Sequence, residues 1–137
     1  MKRSAFTPTR IFVALGIGGV LVAGLLFYSE VMPEAAKTES TMVAIRKRLL
    51  LFARENDRLP KTLSELKASQ TYDDKLIDAW GFEIEYLIES NNVVQLRSLG
   101  ADHTTGGIRK AADIVRRLAA KNSDGSWNDE FAEWLEK

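Results

Sequence analysis

The side chains able to do chemistry are few, and their spacing excludes most of it. His103 is the single histidine and the chain has no cysteine, so there is neither a second imidazole nor a thiolate to complete a zinc site, and cysteine catalysis and a disulfide framework are excluded too. No glycine-flanked serine elbow is present, and a catalytic triad cannot be assembled. His103 by itself reads as a solvated loop residue. The adjacent carboxylates Asp73 and Asp74, or Asp129 and Glu130, point to different sides of any helix and make no acid–base pair. One constellation is left. Asp102 and Asp113 flank a loop containing Gly106 and Gly107, whose freedom lets the backbone fold tightly and turn carbonyls inward. Calcium-like hard cations take about six to eight oxygens from carboxylates and carbonyls, and two such aspartates could begin a site. The same residue types are also ordinary turn formers, so composition leaves both readings open. The expectation is a protein that is not an enzyme.

The loop has to be carried by something, and the sequence on either side of it offers a hairpin. Phe82 to Ile88 is rich in aromatic and β-branched residues, Glu89-Ser90-Asn91-Asn92 has turn chemistry, and Val93 to Ser98 alternates as a return strand. Upstream, Met42, Ala44, Ile45, Leu49, Leu50, Phe52 and Ala53 recur at helical spacing between Thr38 and Asn56, which predicts one amphipathic helix. Its basic triplet Arg46-Lys47-Arg48 reads as a solvated face. Pro60 ends that segment, and Thr62 with Glu65 three residues later predicts a capped short helix carrying Leu63 and Leu66. The stretch 71–78 is polar and reads as loop. After the glycine-rich loop, Arg116 to Lys121 and Trp127 to Glu136 are read as helices, the second started by Ser126 with Asp129 following. Trp127, Phe131 and Trp134 stand at helical spacing and are expected to pack on the domain.

Ahead of all this lies an uncharged apolar run from Ile11 to Tyr28, which as a helix rising about 1.5 Å per residue spans roughly 27 Å, close to a bilayer core. A cleaved signal peptide fits less well, because the run is long for one and is followed by Glu30, Met32, Pro33 and Glu34, not by small residues. Lys2, Arg3 and Arg10 precede the run and hold the amino terminus in the cytoplasm by the positive-inside rule. Gly16, Gly18, Gly19 and Gly24 within it would allow close packing against another membrane helix. With 137 residues, 28% of them charged, the remainder suffices for one domain. Nineteen basic residues balance nineteen acidic ones, which removes the electrostatic case for a nucleic-acid binder.

The order of these features resembles a known family. A basic start, an apolar helix continuing as an amphipathic one, Leu59-Pro60 with a short helix, Asp78-Ala79-Trp80-Gly81, a hairpin, Ser98-Leu99-Gly100-Ala101-Asp102 and Ala112-Asp113-Ile114 together resemble the major pseudopilin (G) of type II secretion systems. That family typically shows Asp-Pro-Trp-Gly, Ser-Leu-Gly-Ala-Asp-Gly and Ala-Asp-Ile in the same order. The resemblance implies an α+β fold, in which a long amino-terminal helix packs on a small antiparallel sheet, here with extra carboxy-terminal helices. It implies a leader-like segment 1–10, a membrane helix 11–28 and a periplasmic domain 29–115, while the helical extension read over 116–137 exceeds what the family leads one to expect. The implied protein is a single-pass inner-membrane subunit of a secretion filament, with its domain in the periplasm. Its partners would be other pseudopilins or platform membrane proteins in a homo- or hetero-oligomer, without nucleic acid or a small-molecule substrate.

The resemblance also implies a structural calcium ion, with carboxylates from Asp102 and Asp113, the carbonyl of Leu99, and Thr104 and Gly107 as further candidate carbonyl donors. Members of the family are cut after glycine within Gly-Phe-Thr-Leu-Ile-Glu and methylated on the new terminal phenylalanine. Here the stretch is Ala5-Phe6-Thr7-Pro8-Thr9-Arg10, so that Ala5 and Phe6 occupy the processing position, alanine stands for glycine and arginine for glutamate. His103 likewise stands where the family has glycine. Two expectations follow: a filament subunit with a processed Phe6 terminus, or an inner-membrane module that keeps its anchor and does not polymerise.

Overall fold

A computed structural model of the chain describes residues 33–66 and 75–135. The expected membrane span 11–28, the processing position at Ala5 and Phe6, and the first half (71–74) of the polar stretch 71–78 lie outside the described residues. Among the described residues no helix is long and apolar enough to cross a membrane.

Helix α1 runs Glu34–Asn56, four residues longer at its start than the apolar spacing predicts. Pro33 sets it off with a φ of −55°, and the Pro33 carbonyl accepts from the Lys37 N–H at 3.1 Å. Glu34 lies in the first turn, where a carboxylate offsets the positive helix end; backbone N–H donation and then Lys110 hold its pKa below the usual range. The helix stops at Asp57, which takes a left-handed conformation with φ 52°, a role short polar side chains tolerate. Thr38, Thr41, Met42, Ile45, Leu49 and Ala53 are buried along one stripe.

That stripe packs on a three-stranded antiparallel sheet of order β1-β2-β3, with β1 Glu85–Ile88, β2 Val93–Ser98 and β3 Ile114–Ala119. The hairpin read from the sequence is β1 and β2, paired from Glu85↔Arg97 to Ile88↔Val94. A 3-10 turn at Ser90–Asn92 joins them, Asn92 supplying a left-handed φ of 58°. In β2 the alternation is clean: Val94, Leu96 and Ser98 face the core and are buried. One hydrophobic core unites Met42, Ile45, Leu49 and Leu50 of α1 with Leu63, Leu66, Ile84, Val94, Leu96, Leu118 and Ala120. The helix–sheet arrangement is therefore α+β and pilin-like, as expected.

Three local expectations are corrected. The segment after Pro60 forms a single 3-10 turn, Leu63–Glu65, in place of a capped helix. The Thr62 hydroxyl pairs with Ser64 Oγ (2.8 Å) and caps nothing, while Glu65 Oε1 accepts from the Lys61 N–H at 2.6 Å. Tyr86 pins this turn to β1 by donating its hydroxyl to the Pro60 carbonyl (2.9 Å), and burial, followed by the charge of Glu65, pushes its phenol pKa well up.

Among the described residues, the helices expected in 116–137 are also absent. Residues 114–119 are β3, paired with β2 from Ser98↔Ile114 to Val93↔Ala119, so the expected boundary between domain and extension falls inside a strand. Strand alternation sends Arg116 to Glu39 of α1 and Arg117 to Glu89, and buries Leu118 completely. Beyond it the chain turns at Asn122–Ser126, with Gly125 at φ 85° and Asn122 N–H donating to the Ser126 carbonyl at 2.8 Å. Ser126 caps no helix; its N–H and hydroxyl both donate to Asp124 Oδ1. Isolated bridges Lys121↔Trp127 and Arg117↔Leu135 bring the chain back as an irregular strap along the outer side of β3.

The third correction concerns the basic triplet. Arg46 lies 4.9 Å from the centre of the Trp134 ring and Lys47 5.9 Å from that of Phe131, while Arg48 is buried and donates to the Leu66 carbonyl at 3.1 Å. Desolvation lowers the Arg46 pKa, against the charge of Glu133. The strap is fastened further by Arg54 on Glu130 (3.1 Å) and by the Trp127 indole N–H on Asp57 Oδ1 (2.7 Å). Trp127 and Trp134 thus pack on the domain, as expected, though without a helix, whereas Phe131 stays 68% exposed. Because Leu118 is fully buried on β3, within the stretch expected to be a helix, Leu118→Ala should cost about 2–5 kcal/mol in urea unfolding. Leu87→Ala, on the exposed face of β1, should change stability by less than about 0.5 kcal/mol; equal losses at both positions would contradict this core.

Candidate functional site

The residues expected to hold a cation all lie in the connection between β2 and β3. The pairing of Ser98 with Ile114 closes that connection, so Leu99 and Asp113 leave the same end of the strand pair side by side. From Leu99 the backbone enters a 3-10 turn at Gly100–Asp102, ended by His103 in a left-handed conformation (φ 53°). A second 3-10 turn at Arg109–Ala111 packs against the first, starting from Arg109 at φ 56°. Glycine is required at the crossing of the two turns. A Cβ on Gly100 would stand 2.9 Å from the carbonyl oxygens of Lys110 and Ala112, and one on Gly107 would collide with the carbonyl of Ala111. Both glycines also have positive φ, 69° and 89°.

The loop therefore gathers main-chain oxygens. It also carries both aspartates. Asp102 Oδ1 accepts from the Thr104 N–H (3.2 Å) and Asp113 Oδ1 from the Gly106 N–H (3.0 Å). Neither second carboxylate oxygen has a hydrogen bond among the described residues. Asp102, Thr104 and Gly107 are exposed, whereas Leu99 and Asp113 are half-buried. Among the described residues no three His, Cys, Asp or Glu side chains group to hold a metal. Any cation here would have to combine two carboxylates with carbonyls, and that all-oxygen donor set, crowded by glycine, fits a hard ion of the calcium type.

His103 is not among these donors. It is exposed, but its ring stacks on Phe82 with centroids 4.2 Å apart and planes 16° from parallel, so the loop is clamped to the turn before β1. That turn contains the group that sequence reading missed. Asp78 is only 4% exposed, and its carboxylate accepts from the Trp80 N–H (3.0 Å), the Phe82 N–H (2.9 Å) and the Ser98 hydroxyl (2.6 Å). The signal was present: Asp78 opens Asp78-Ala79-Trp80-Gly81 and Ser98 opens Ser98-Leu99-Gly100-Ala101-Asp102, two motifs that the fold joins at one hydrogen bond. Ala79, where the family typically has proline, uses its N–H to donate to Thr38 Oγ1 of α1 at 3.0 Å, a bond proline could not make.

A long helix braced on a three-stranded antiparallel sheet, with a glycine-bearing loop at the end of the sheet, is an architecture of the pilin-like class. The family model for protein G of the type II secretion system matches residues 29–117, and the chain belongs to that family. It is a family of structural pseudopilins and not of enzymes, and its role lies in type II protein secretion. No curated protein matches the chain.

The crowding at the turn crossing gives a direct test. Gly107→Ala should destabilise the fold by about 1–3 kcal/mol or more, because it adds strain at positive φ to a collision with Ala111. Gly106→Ala, at φ 98° but with open space around it, should cost less; equal costs in a denaturant titration would show that the two turns do not meet as described.

Proposed function

We propose that the chain is an inner-membrane-anchored, calcium-braced subunit of a type II secretion filament, with its domain in the periplasm. Its partners are other pseudopilins and the platform membrane proteins that assemble them, and its contribution to export across the outer membrane is mechanical. Family membership over residues 29–117 is the observation that carries this reading. The apolar run 11–28 with its basic flank supports the anchor and its orientation.

For the ion, the supporting observation is the loop itself. Left-handed residues and close-packed turns bring the carbonyls of Lys110, Ala111 and Ala112 against Gly100 and Gly107, and a bound cation would add its binding free energy to the folded state. Asp102 and Asp113 would supply carboxylates and Leu99 a carbonyl, with Thr104 and Gly107 as further carbonyl donors. Calcium should therefore raise the thermal midpoint of the full-length chain in detergent, and Asp102→Ala should remove the increase. A wild-type midpoint indifferent to calcium would overturn the assignment.

A second reading has its own observation. Arg10 stands where the family has a glutamate, and a cation at membrane depth costs at least about 2.5–3.5 kcal/mol unless it reaches the interface. That substitution, with Ala5 in place of glycine, favours a retained anchor and a module that does not polymerise. Intact-mass measurement on protein from its native host separates the two. A methylated Phe6 terminus is expected for the filament subunit, and a mature population that keeps the bond after Ala5 would establish the fixed anchor instead.

A further inference from the structure

The Asp78 carboxylate reaches the cation loop through one intermediary. Ser98 Oγ donates its only proton to Asp78 Oδ2 at 2.6 Å and therefore presents a lone pair to the Gly100 N–H, which it accepts at 3.2 Å. All three groups are buried. Gly100 in turn is the residue on which a Cβ would meet the carbonyls of Lys110 and Ala112, the latter immediately before Asp113. The direction of the Gly100 N–H thus fixes the first 3-10 turn, and with it Asp102, relative to the segment that delivers Asp113.

The other end of the same turn is tied to the same carboxylate. Asp78 Oδ1 orients the Phe82 N–H, and the Phe82 ring carries the His103 stack one residue after Asp102. Asp102 is bracketed by two contacts, at Gly100 and at His103, and both lead back to Asp78.

We propose that Asp78 and Ser98 are positioning residues for the cation loop, setting its affinity for calcium without touching the ion. The inference rests on the calcium reading above. It assigns to Asp78 the function of an outer-sphere group, whose partners orient ligands and whose loss weakens metal binding. Desolvation makes the arrangement demanding: a buried carboxylate with three donors is satisfied only if Ser98 turns its proton inward, and that leaves Ser98 no alternative to accepting from Gly100.

Calcium alone, titrated calorimetrically into the full-length chain in detergent micelles below the melting temperature of every variant, tests this. Ser98→Ala should raise the calcium dissociation constant about 10- to 100-fold. Asp78→Asn, which offers one acceptor oxygen in place of two, should do the same. Because the two residues act through one chain of bonds, the double variant should bind within about twofold of the weaker single one. Ser98→Thr, which keeps the hydroxyl, should restore affinity to near wild type. Leu118→Ala destabilises the core without touching this chain and should leave the constant within about twofold of wild type. If wild type binds and Ser98→Ala binds equally well, or if Leu118→Ala weakens binding as much, the positioning role is overturned. A wild-type chain that takes up no calcium overturns the ion assignment and this proposal with it.

Discussion

A single buried carboxylate holds the parts of this domain that no regular element could hold. Asp78 is removed from water at a site where an unpartnered charge would be prohibitive, and it is made tolerable by two backbone N–H groups and one hydroxyl. Two of those donors belong to a piece of chain that has no ladder of its own, and the third stands at the end of one. Trp80 and Phe82 lie in the tight turn leading to β1, where the Asp78 N–H also donates to the Phe82 carbonyl at 2.7 Å. Ser98 is the last residue of β2, beyond which the sheet gives way to the loop. The next residue along the turn, Ala79, is fastened to Thr38 of α1. Helix, turn, strand end and loop therefore meet within one hydrogen-bonded cluster, and the cost of burying the charge is offset only when all of them are in place. Such a cluster contributes specificity more than raw stability.

The apolar core supplies the bulk of the stability around that cluster, and its composition explains the order in which contacts can be satisfied. Met42, Ile45 and Leu49 of α1 meet Val94 and Leu96 of β2, the central strand, so the hairpin and helix already enclose much of the interior. The third strand completes it through Leu118, and Ala120 follows. Peripheral ion pairs such as Arg58 with Glu65 (2.7 Å) and Arg97 with Glu85 (2.6 Å) are substantially exposed, and pairs of that kind contribute little to stability. The cation–ring contacts between α1 and the strap differ in kind, because Arg46 is partly desolvated and its Nε is buried without a hydrogen-bond partner in the described residues. The Trp134 ring face is what that guanidinium has in place of water.

What could be read from the sequence was what local chemistry determines. The β1–β2 hairpin was legible because Glu89 to Asn92 carries its own turn signal and Val93 to Ser98 its own alternation. Helix α1 was legible from spacing, and the fold class followed. Strand β3 was not, because Arg116-Arg117-Leu118-Ala119-Ala120 has good helix formers throughout, and only its pairing with β2, some twenty residues upstream, makes it extended. The strap was misread for a related reason. Trp127, Phe131 and Trp134 mimic one helical face, yet each ring finds its partner on another element or on Lys121, in contacts that spacing within the segment cannot reveal. Asp102 and Asp113 were legible as members of one loop. Asp78 was legible only as part of a motif, since the group it serves lies at Ser98.

The family match stops at Arg117, inside β3, and this gives the final segment a different standing from an appendage. Leu118 and Ala120, the first buried residues past that limit, are both fully removed from water and belong to the shared core. Asn128 then returns to β3, its N–H donating to the Ala120 carbonyl (2.9 Å) and its amide to that of Ala119 (2.8 Å). Leu135 donates its N–H to the Arg117 carbonyl at 2.8 Å, occupying part of an edge that would otherwise offer unpaired groups to another strand. The strap meets Arg46, Lys47 and Arg54 of α1 and Asp57 at its end, about three turns apart from first to last. Those charges therefore have partners within the chain, and their presence on a helix of this family is accounted for by the segment that folds back over them. The carboxy-terminal residues are thus part of what makes the domain, and β3 runs across the limit of the family match.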